Sequence, residues 1–202
     1  MQKKAETVVI ISPEETIIMD LKEKQLSAEY HFKGKVINLR TDQAVTADGQ
    51  EVYREVVEHP GGVGIALEDE EGKFFLVTQY RYAQEMILKE FPAGKKEPGE
   101  DPFLTASREI IEETGYEGKD YVYLGKMVPT GAYDTEVIDF YYAKQGEFKG
   151  QHLDEDENLN LSKMTLDEII DEIMEQKIID GKTIAMAFMI REYKARKAAG
   201  KE

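Results

Sequence analysis

The chain has 202 residues, a formal net charge of −15 and no cysteine. The absence of cysteine excludes disulfides, thiolate catalysis and zinc–thiolate sites, and so acidic a surface argues against a general binder of nucleic acid or of anionic membranes. With 41% hydrophobic and 33% charged residues, the composition predicts a globular protein with one sizeable core and room for a small additional subdomain.

The sequence contains no long apolar segment. The N-terminal stretch MQKKAETVVIISPEE has only four consecutive apolar residues, too few for the core of a signal peptide. The longest late apolar run, Ile184–Ile190, is far shorter than a membrane span. We therefore expect a cytoplasmic protein with no membrane partner.

The first part of the chain predicts β-structure. Residues 20–58 contain short strand-like runs, and Asp48-Gly49 between two of them is typical of a hairpin turn. A second hairpin is expected in residues 61–81, with its turn at Glu71-Gly72, and a loop should follow it.

A helix is predicted from about Pro102 to Thr114. Asp101 is a good N-cap, and proline fits the first helical position, where its missing N–H costs nothing. Gly115 is a natural left-handed stop at the other end.

Three glutamates crowd onto one face of this helix. Glu109, Glu112 and Glu113 fall within one arc of roughly 100°. Like charges at these spacings each cost a helix a few tenths of a kcal/mol, so stability alone does not favour them. Mg²⁺ prefers carboxylate oxygens and keeps positions open for water and phosphates. The cluster predicts a divalent-cation site, and the alternative is a solvated acidic face.

The remainder of the chain predicts strands and then helices. Strands are expected in YVYLGKMV and VIDFYYAK. Thr165 and Glu168 form a capping box before an amphipathic helix, and a last helix should run from about Thr183 to Lys197. The order of strands, helix, strands and helices indicates an α+β fold with a mixed sheet between helices.

The glutamate helix belongs to a longer motif. Residues 94–116, GKKEPGEDPFLTASREIIEETGY, match G-x5-E-x7-R-E-U-x-E-E-x-G-U at every position, where U is an apolar residue. So many fixed positions would coincide by chance on the order of once in 10⁸ windows. The pattern is the Nudix box, and by it the sequence is identified as a member of the Nudix hydrolase family.

Runs outside the box resemble the ADP-ribose pyrophosphatase branch of that family. They are YREVVEHPGGV, VTQYRYA, EFPAGK, PTGAYDTEVI and DEDE. The resemblance implies a Nudix α/β/α sandwich with a mixed sheet over residues 59–202, preceded by a small N-terminal antiparallel β domain over residues 1–58 that commonly swaps across a homodimer. The chain departs from the family at PTGAYDTE, where proline is displaced within a loop that touches substrate in relatives.

The resemblance implies Mg²⁺-dependent hydrolysis of ADP-ribose, a small-molecule nucleotide, to AMP and ribose 5-phosphate, with Mn²⁺ as a substitute metal. Other nucleoside diphosphate derivatives are alternative substrates, among them GDP-mannose, other nucleoside diphosphate sugars and diadenosine polyphosphates. A different alternative is a regulator that binds ADP-ribose without cleaving it. The intact box, the acidic charge and the lack of a following helix-turn-helix pattern disfavour the regulator.

Five residues are predicted to hold the metal. Glu109 and Glu113, one helical turn apart, are the main candidates, and Glu112 is a bridging or outer ligand. By resemblance, the carbonyl of Ala93 completes the first site and Glu157 in the DEDE run adds a further ligand.

Two glutamates are candidates for the base that orients or deprotonates the water. The resemblance assigns this role to Glu155, and Glu136 is the alternative. The DEDE run could instead be a solvated acidic loop, and Glu136 could be a surface residue at a strand edge. Glu100 fits the metal face less well, so we expect it to be structural and to pair with Arg108.

Substrate contacts are predicted at five positions. Arg54 and Arg81 are candidates for the phosphates, because a guanidinium group binds phosphate bidentately, and the alternative for both is a surface ion pair. By resemblance, Arg54 and Glu55 face the nucleotide, and Lys35 and Val36 match positions that contact adenine in relatives.

Overall fold

The structure is a computed structural model that describes residues 20–153 and 158–201. Within these ranges the chain forms ten strands and three α-helices. The strands are β1 (Lys24–Lys33), β2 (Asn38–Val45), β3 (Glu51–Glu58), β4 (Gly62–Glu68), β5 (Lys73–Arg81), β6 (Met86–Glu90), β7 (Ala93–Lys95), β8 (Tyr116–Met127), β9 (Ile138–Phe148) and β10 (Leu159–Thr165). The helices are α1 (Pro102–Thr114), α2 (Leu166–Met174) and α3 (Gly181–Ala198).

The first three strands form a separate antiparallel sheet in the order β1-β2-β3. The β2–β3 hairpin turns where Asp48-Gly49 predicted it, and Gly49 has a φ of 90°, which glycine adopts without strain. Strand β1 is exposed along its whole length, including Leu26 and Phe32. The predicted N-terminal antiparallel sheet is confirmed, whereas a domain boundary at residue 58 stays a prediction.

The main sheet is mixed and lies between helices. Its central order is β10-β5-β4-β9-β8, with β4 and β9 parallel and the other neighbours antiparallel. Helix α1 packs through Ala106 and Ile110 on the face that carries Val63 and Ile65. Helices α2 and α3 cover the opposite face. The predicted α/β/α sandwich is therefore confirmed.

Two short strands occupy the region that the sequence suggested was a loop. Strands β4 and β5 pair only at Glu68 and Phe74 and then separate. Strand β6 pairs with β5, and β7 pairs with β4 from Gly62 to Gly64. The diverging strands need partners for their backbone groups, and β6 and β7 supply them. This insertion brings Ala93 and Gly94 to the edge of β4.

Helix α1 has the predicted bounds. The Asp101 side chain accepts a hydrogen bond from the backbone N–H of Phe103 at 2.8 Å, and Gly115 ends the helix with a φ of 79°. These two ends fix the register in which the glutamates of α1 face β7.

The C-terminal helices are also capped by their own residues. The predicted capping box of Thr165 and Glu168 is formed at the start of α2. Helix α3 begins at Gly181, two residues before the prediction, because Asp180 accepts a hydrogen bond from the N–H of Thr183 at 2.9 Å. In the described part of the chain, no helix is long and apolar enough to cross a membrane.

Candidate active site

Two glutamates of α1 lie against the backbone of β7. A Cβ atom added at Gly94 would lie 1.8 Å from Cδ of Glu109, so the carboxyl group occupies the space that any other residue would fill. One turn later, Glu113 is 2% exposed and its carboxylate accepts a hydrogen bond from the N–H of Ala93 at 3.0 Å. Both carboxyl groups are thereby held at one short stretch of backbone.

Arg108 explains how the helix tolerates its crowded glutamates. Its Nη1 donates to Glu109 at 2.9 Å and to Glu112 at 2.8 Å. Its Nη2 and Nε lie 3.3 and 3.4 Å from the two carboxylate oxygens of Glu100. The predicted Glu100–Arg108 pair is therefore confirmed, and a single guanidinium group offsets the repulsion among three carboxylates.

The same contacts shift two pKa values in opposite directions. Hydrogen bonds from Arg108, followed by one from the backbone N–H of Glu97, lower the pKa of Glu100 to about 2. Burial on its own would lower the pKa of Arg108, but the surrounding carboxylates outweigh it and raise that pKa. Arg108 therefore stays charged at physiological pH.

The residues at this position fit a hard divalent cation. Carboxylate and carbonyl oxygens are the ligands that Mg²⁺ prefers. Because Gly94 has no side chain, the carboxylate of Glu109 has room to lie beside the backbone of β7, which supplies carbonyl oxygens. Among residues 20–153 and 158–201, no group of three acidic or histidine side chains is arranged as a complete metal site. Two of the predicted metal ligands, Glu109 and Glu112, instead form ion pairs with Arg108. The predicted Glu155 and Glu157 lie outside the described residues.

Arg81 forms a bidentate ion pair with a buried carboxylate. Its Nε and Nη2 donate to the two oxygens of Glu90 at 2.7 and 2.5 Å, and Glu90 is fully buried. The hydrogen bonds to Glu90 raise the pKa of Arg81, with smaller contributions from the charges of Asp180 and Glu113. Of the α1 glutamates, Glu113 contributes to this shift.

Sequence reasoning missed Glu90, the partner of Arg81 in this ion pair, and Lys182, which lies beside it. Lys182, on α3, also donates to Glu90. The signals were present in the sequence: Glu90 stands beside apolar residues in EFPAGK, and Lys182 stands in DGKT at the start of a predicted helix. Only the fold brings the two motifs together, because 92 residues separate them.

Glu136, the alternative base, lies in the loop before β9. It is partly buried, and one of its carboxylate oxygens is 3.4 Å from Nδ1 of His59. The loop is fastened to the end of β3, since Val57 donates to the carbonyl of Tyr133 at 2.7 Å and accepts from the N–H of Thr135 at 3.0 Å. The N-terminal sheet is therefore directly bonded to the loop that carries Glu136.

The other predicted substrate residues lie on the N-terminal sheet. Arg54 forms an ion pair with Glu23, with Nε 3.0 Å from the carboxylate. Glu55 is exposed on the same strand, and Lys35 and Val36 are exposed between β1 and β2. Within the described ranges, no hydrogen bond connects these four predicted residues to the glutamates of α1.

Comparison with known proteins gives matches over most of the chain. Residues 58–185 match the family described as NUDIX domain. The chain is 41% identical to the "Methanol dehydrogenase activator" of Bacillus methanolicus over 165 residues, which are 80% of this chain and 89% of that protein. It is 34% identical to the "ADP-ribose pyrophosphatase" of Bacillus subtilis (strain 168) over 165 residues, 81% of this chain and 89% of that protein.

A solved structure also resembles the chain. It is titled "Crystal structure of ADP compounds hydrolase" and superposes with a TM-score of 0.76 over 90% of this chain and 97% of that one. The sequence identity is 19%, so this likeness establishes the shared fold.

Proposed function

The chain belongs to the Nudix family, and from this premise we propose that it hydrolyses the diphosphate bond of ADP-ribose to AMP and ribose 5-phosphate with the help of Mg²⁺ or Mn²⁺. The family consists of hydrolases that generally use divalent metal ions and act on small nucleotides. The observation that carries the proposal is the pair of buried glutamates, Glu109 and Glu113, held against β7 within an intact box. The 34% identity to an ADP-ribose pyrophosphatase supports the choice of substrate.

In this proposal the metal is held by residues at the junction of α1 and β7. They are Glu109, Glu112, Glu113 and the carbonyl of Ala93, with Glu157 as a further ligand. When bound, the cation would neutralise charge on the diphosphate and lower the pKa of a bound water. Arg108 orients Glu109 and Glu112 and keeps their charges close together before metal arrives. Glu155, or alternatively Glu136, accepts the proton of the attacking water.

The substrate would be bound by cationic side chains and by the N-terminal sheet. Arg81 is our candidate for the phosphates, and its pair with Glu90 engages Nε and Nη2, two positions of a group with five N–H donors. Arg54 and Glu55 would face the nucleotide, and Lys35 and Val36 would contact its adenine. A bidentate arginine fixes the position of a phosphate, which is what an in-line displacement requires.

A homodimer is part of the proposal. The N-terminal sheet and its β1–β2 connection expose several large apolar side chains: Leu26, Tyr30, Phe32, Val36, Ile37, Leu39 and Tyr53. A three-stranded sheet with exposed apolar groups gains stability by covering them. A second subunit would cover them and bring residues of one N-terminal sheet to the other subunit's site. A cytoplasmic location stays a prediction.

Turnover of a substrate panel tests the proposed function. Purified protein with Mg²⁺ should release AMP and ribose 5-phosphate from ADP-ribose, and a chelator should stop the release. GDP-mannose and diadenosine polyphosphates are the comparison substrates, and faster turnover of either would reassign the substrate. Calorimetric binding of ADP-ribose without any turnover, with Mg²⁺ or Mn²⁺ present, would instead identify a binding protein.

A second candidate function is activation of a methanol dehydrogenase. It is favoured by one observation, the 41% identity to the "Methanol dehydrogenase activator" over 89% of that protein. The test is to add the protein to a methanol dehydrogenase and measure the rate of methanol oxidation. An increase with wild type but not with Glu113→Gln would mean that activation requires the active site. No increase would leave hydrolysis as the sole candidate function.

A further inference from the structure

The N-terminus of α3 is bonded to the segment that leads into β7. The hydroxyl of Thr183 accepts a hydrogen bond from the backbone N–H of Phe91 at 2.9 Å and donates to Asp180 at 2.6 Å. Thr183 and Phe91 are both fully buried. The first turn of α3 therefore fixes the backbone two residues before Ala93.

Lys182 adds a buried charge to this contact. It is 8% exposed, and its ammonium group donates to Glu90 and lies 3.0 Å from Asp180. Glu90 is shared between Lys182 and Arg81, so two cations and two carboxylates form one connected group. Apolar side chains could join a helix to a sheet without the cost of desolvating the charges of Lys182 and Glu90, so stability alone does not account for this pair.

This charged group is connected in two ways to the predicted metal site at Glu109 and Glu113. Through Glu90 it fixes the guanidinium group of Arg81. Through the backbone it reaches Ala93, because only Phe91 and Pro92 lie between Glu90 and Ala93, and the N–H of Ala93 donates to Glu113. A displacement of Glu90 would therefore move both the predicted phosphate ligand and the predicted carbonyl ligand.

We propose that Lys182 is a positioning residue for the reaction, which holds Glu90 so that Arg81 and the Ala93 carbonyl stay in register with Glu109 and Glu113. The inference rests on the proposed function, because it assigns a task to the same site. Lys182 touches neither metal nor substrate in this account. Its effect is transmitted through Glu90 and through the short backbone segment that follows.

The same helix provides a matched control. Lys194, also on α3, donates to Glu68 at 2.8 Å, and Glu68 is 4% exposed. Glu68 is at the opposite end of β4 from the strand's contacts with β7. Lys182→Met and Lys194→Met each remove a lysine that is paired with a buried glutamate, but only the first is bonded to the segment that carries Ala93. Lys182→Arg tests whether a conservative cation restores the effect.

Two measurements are compared across these variants: Mn²⁺ affinity of the substrate-free protein by electron paramagnetic resonance, and kcat and KM for ADP-ribose with Mg²⁺. We expect Lys182→Met to weaken Mn²⁺ binding and to lower kcat by about 10- to 100-fold each, the range typical of groups that orient metal ligands. Lys194→Met should leave both quantities close to wild type, and Lys182→Arg should recover most of the loss.

The inference is overturned if Lys182→Met keeps wild-type Mn²⁺ affinity and kcat, or if both methionine variants lose them equally, which would indicate general destabilisation. If Lys182→Met does not fold, as judged by circular dichroism, Lys182→Gln replaces it under the same criteria. If the wild-type protein binds Mn²⁺ but does not turn over ADP-ribose, only the proposed substrate is refuted. The role of Lys182 is then decided by comparing the Mn²⁺ affinity of Lys182→Met with that of wild type. Wild type that does not bind Mn²⁺ refutes both.

Discussion

Gly94 and Glu109 share a space that can hold only one side chain. The Cδ atom of Glu109 lies 1.8 Å from the position of a Cβ at residue 94, and its Oε1 lies 2.1 Å away. The glycine that opens the box is therefore required by the glutamate fifteen residues later. Without it, the carboxyl group could not lie beside the backbone of β7.

Gly94→Ala tests this relationship. The new methyl group must displace Glu109, so we expect turnover to fall by roughly 100-fold, as misplacement of a catalytic group by about 1 Å can do. The three atoms nearest to the methyl group all belong to the end of the flexible Glu109 side chain, which can move away. The unfolding free energy, measured by urea denaturation, should therefore fall by less than the roughly 1–3 kcal/mol typical of core overpacking. Gly181→Ala is the control, because a Cβ there meets nothing within 4 Å. Equal activity in both variants would contradict the shared-space account.

Glu113→Gln separates the metal role from a structural one. The amide oxygen of glutamine can still accept the hydrogen bond from Ala93, so thermal stability without metal should stay close to wild type. Turnover should fall by about 10³-fold, because a neutral amide is a poor ligand for Mg²⁺. Glu147→Gln, at an exposed carboxylate paired with Lys149, is the control. Normal turnover in both Glu113→Gln and Glu109→Gln would show that the cluster is only a solvated face.

Arg108→Gln should change the titration of Glu100. In wild type the pKa of Glu100 is lowered to about 2, so its contribution to stability is present above its unfolded pKa of about 4.3 and is lost as the pH falls towards 2. Without Arg108 we expect that pKa to rise, although the hydrogen bond from the backbone N–H of Glu97 should still hold it below its ordinary value. Carboxyl NMR titration measures the pKa directly, and urea denaturation at several acidic pH values measures the stability. An unchanged pKa in the variant would mean that Arg108 is not the cause.

The sequence was most informative about helix α1, because the residues that cap it and the glutamates of the candidate site lie in one continuous segment. The caps at Asp101 and Gly115 predicted α1, and the helical spacing predicted that its glutamates share one face. Strands β6 and β7 were missed because their pairing with β5 and β4 depends on the tertiary arrangement and not on their own sequence pattern. The contact between Glu90 and Lys182 could not be predicted for the same reason, since nothing local relates two residues in different motifs.

Assembly is tested by mass and by mixed subunits. Light scattering should report about twice the 23.1 kDa chain mass, since a second subunit is expected to cover the apolar side chains of the N-terminal sheet. A mixed dimer of Arg54→Ala and Glu113→Gln chains should regain partial activity. If Arg54 of each subunit serves the site of the other subunit, both substitutions affect the same site and the second site is intact. The homodimers of each variant are the controls. A monodisperse, fully active monomer would contradict this assembly.

The backbone bonds between Val57 and the loop at Tyr133 and Thr135 have a consequence for protein engineering. A chimaera that replaces the N-terminal sheet with that of a relative would join a foreign β3 to a native loop. The backbone groups would keep their partners only if the two segments still meet in the same geometry. The sheet and residues 129–137 should therefore be exchanged together, as one cassette made of two distant pieces of sequence. Recombination libraries built with crossovers on either side of both pieces should yield more folded progeny than libraries with a single crossover near residue 58.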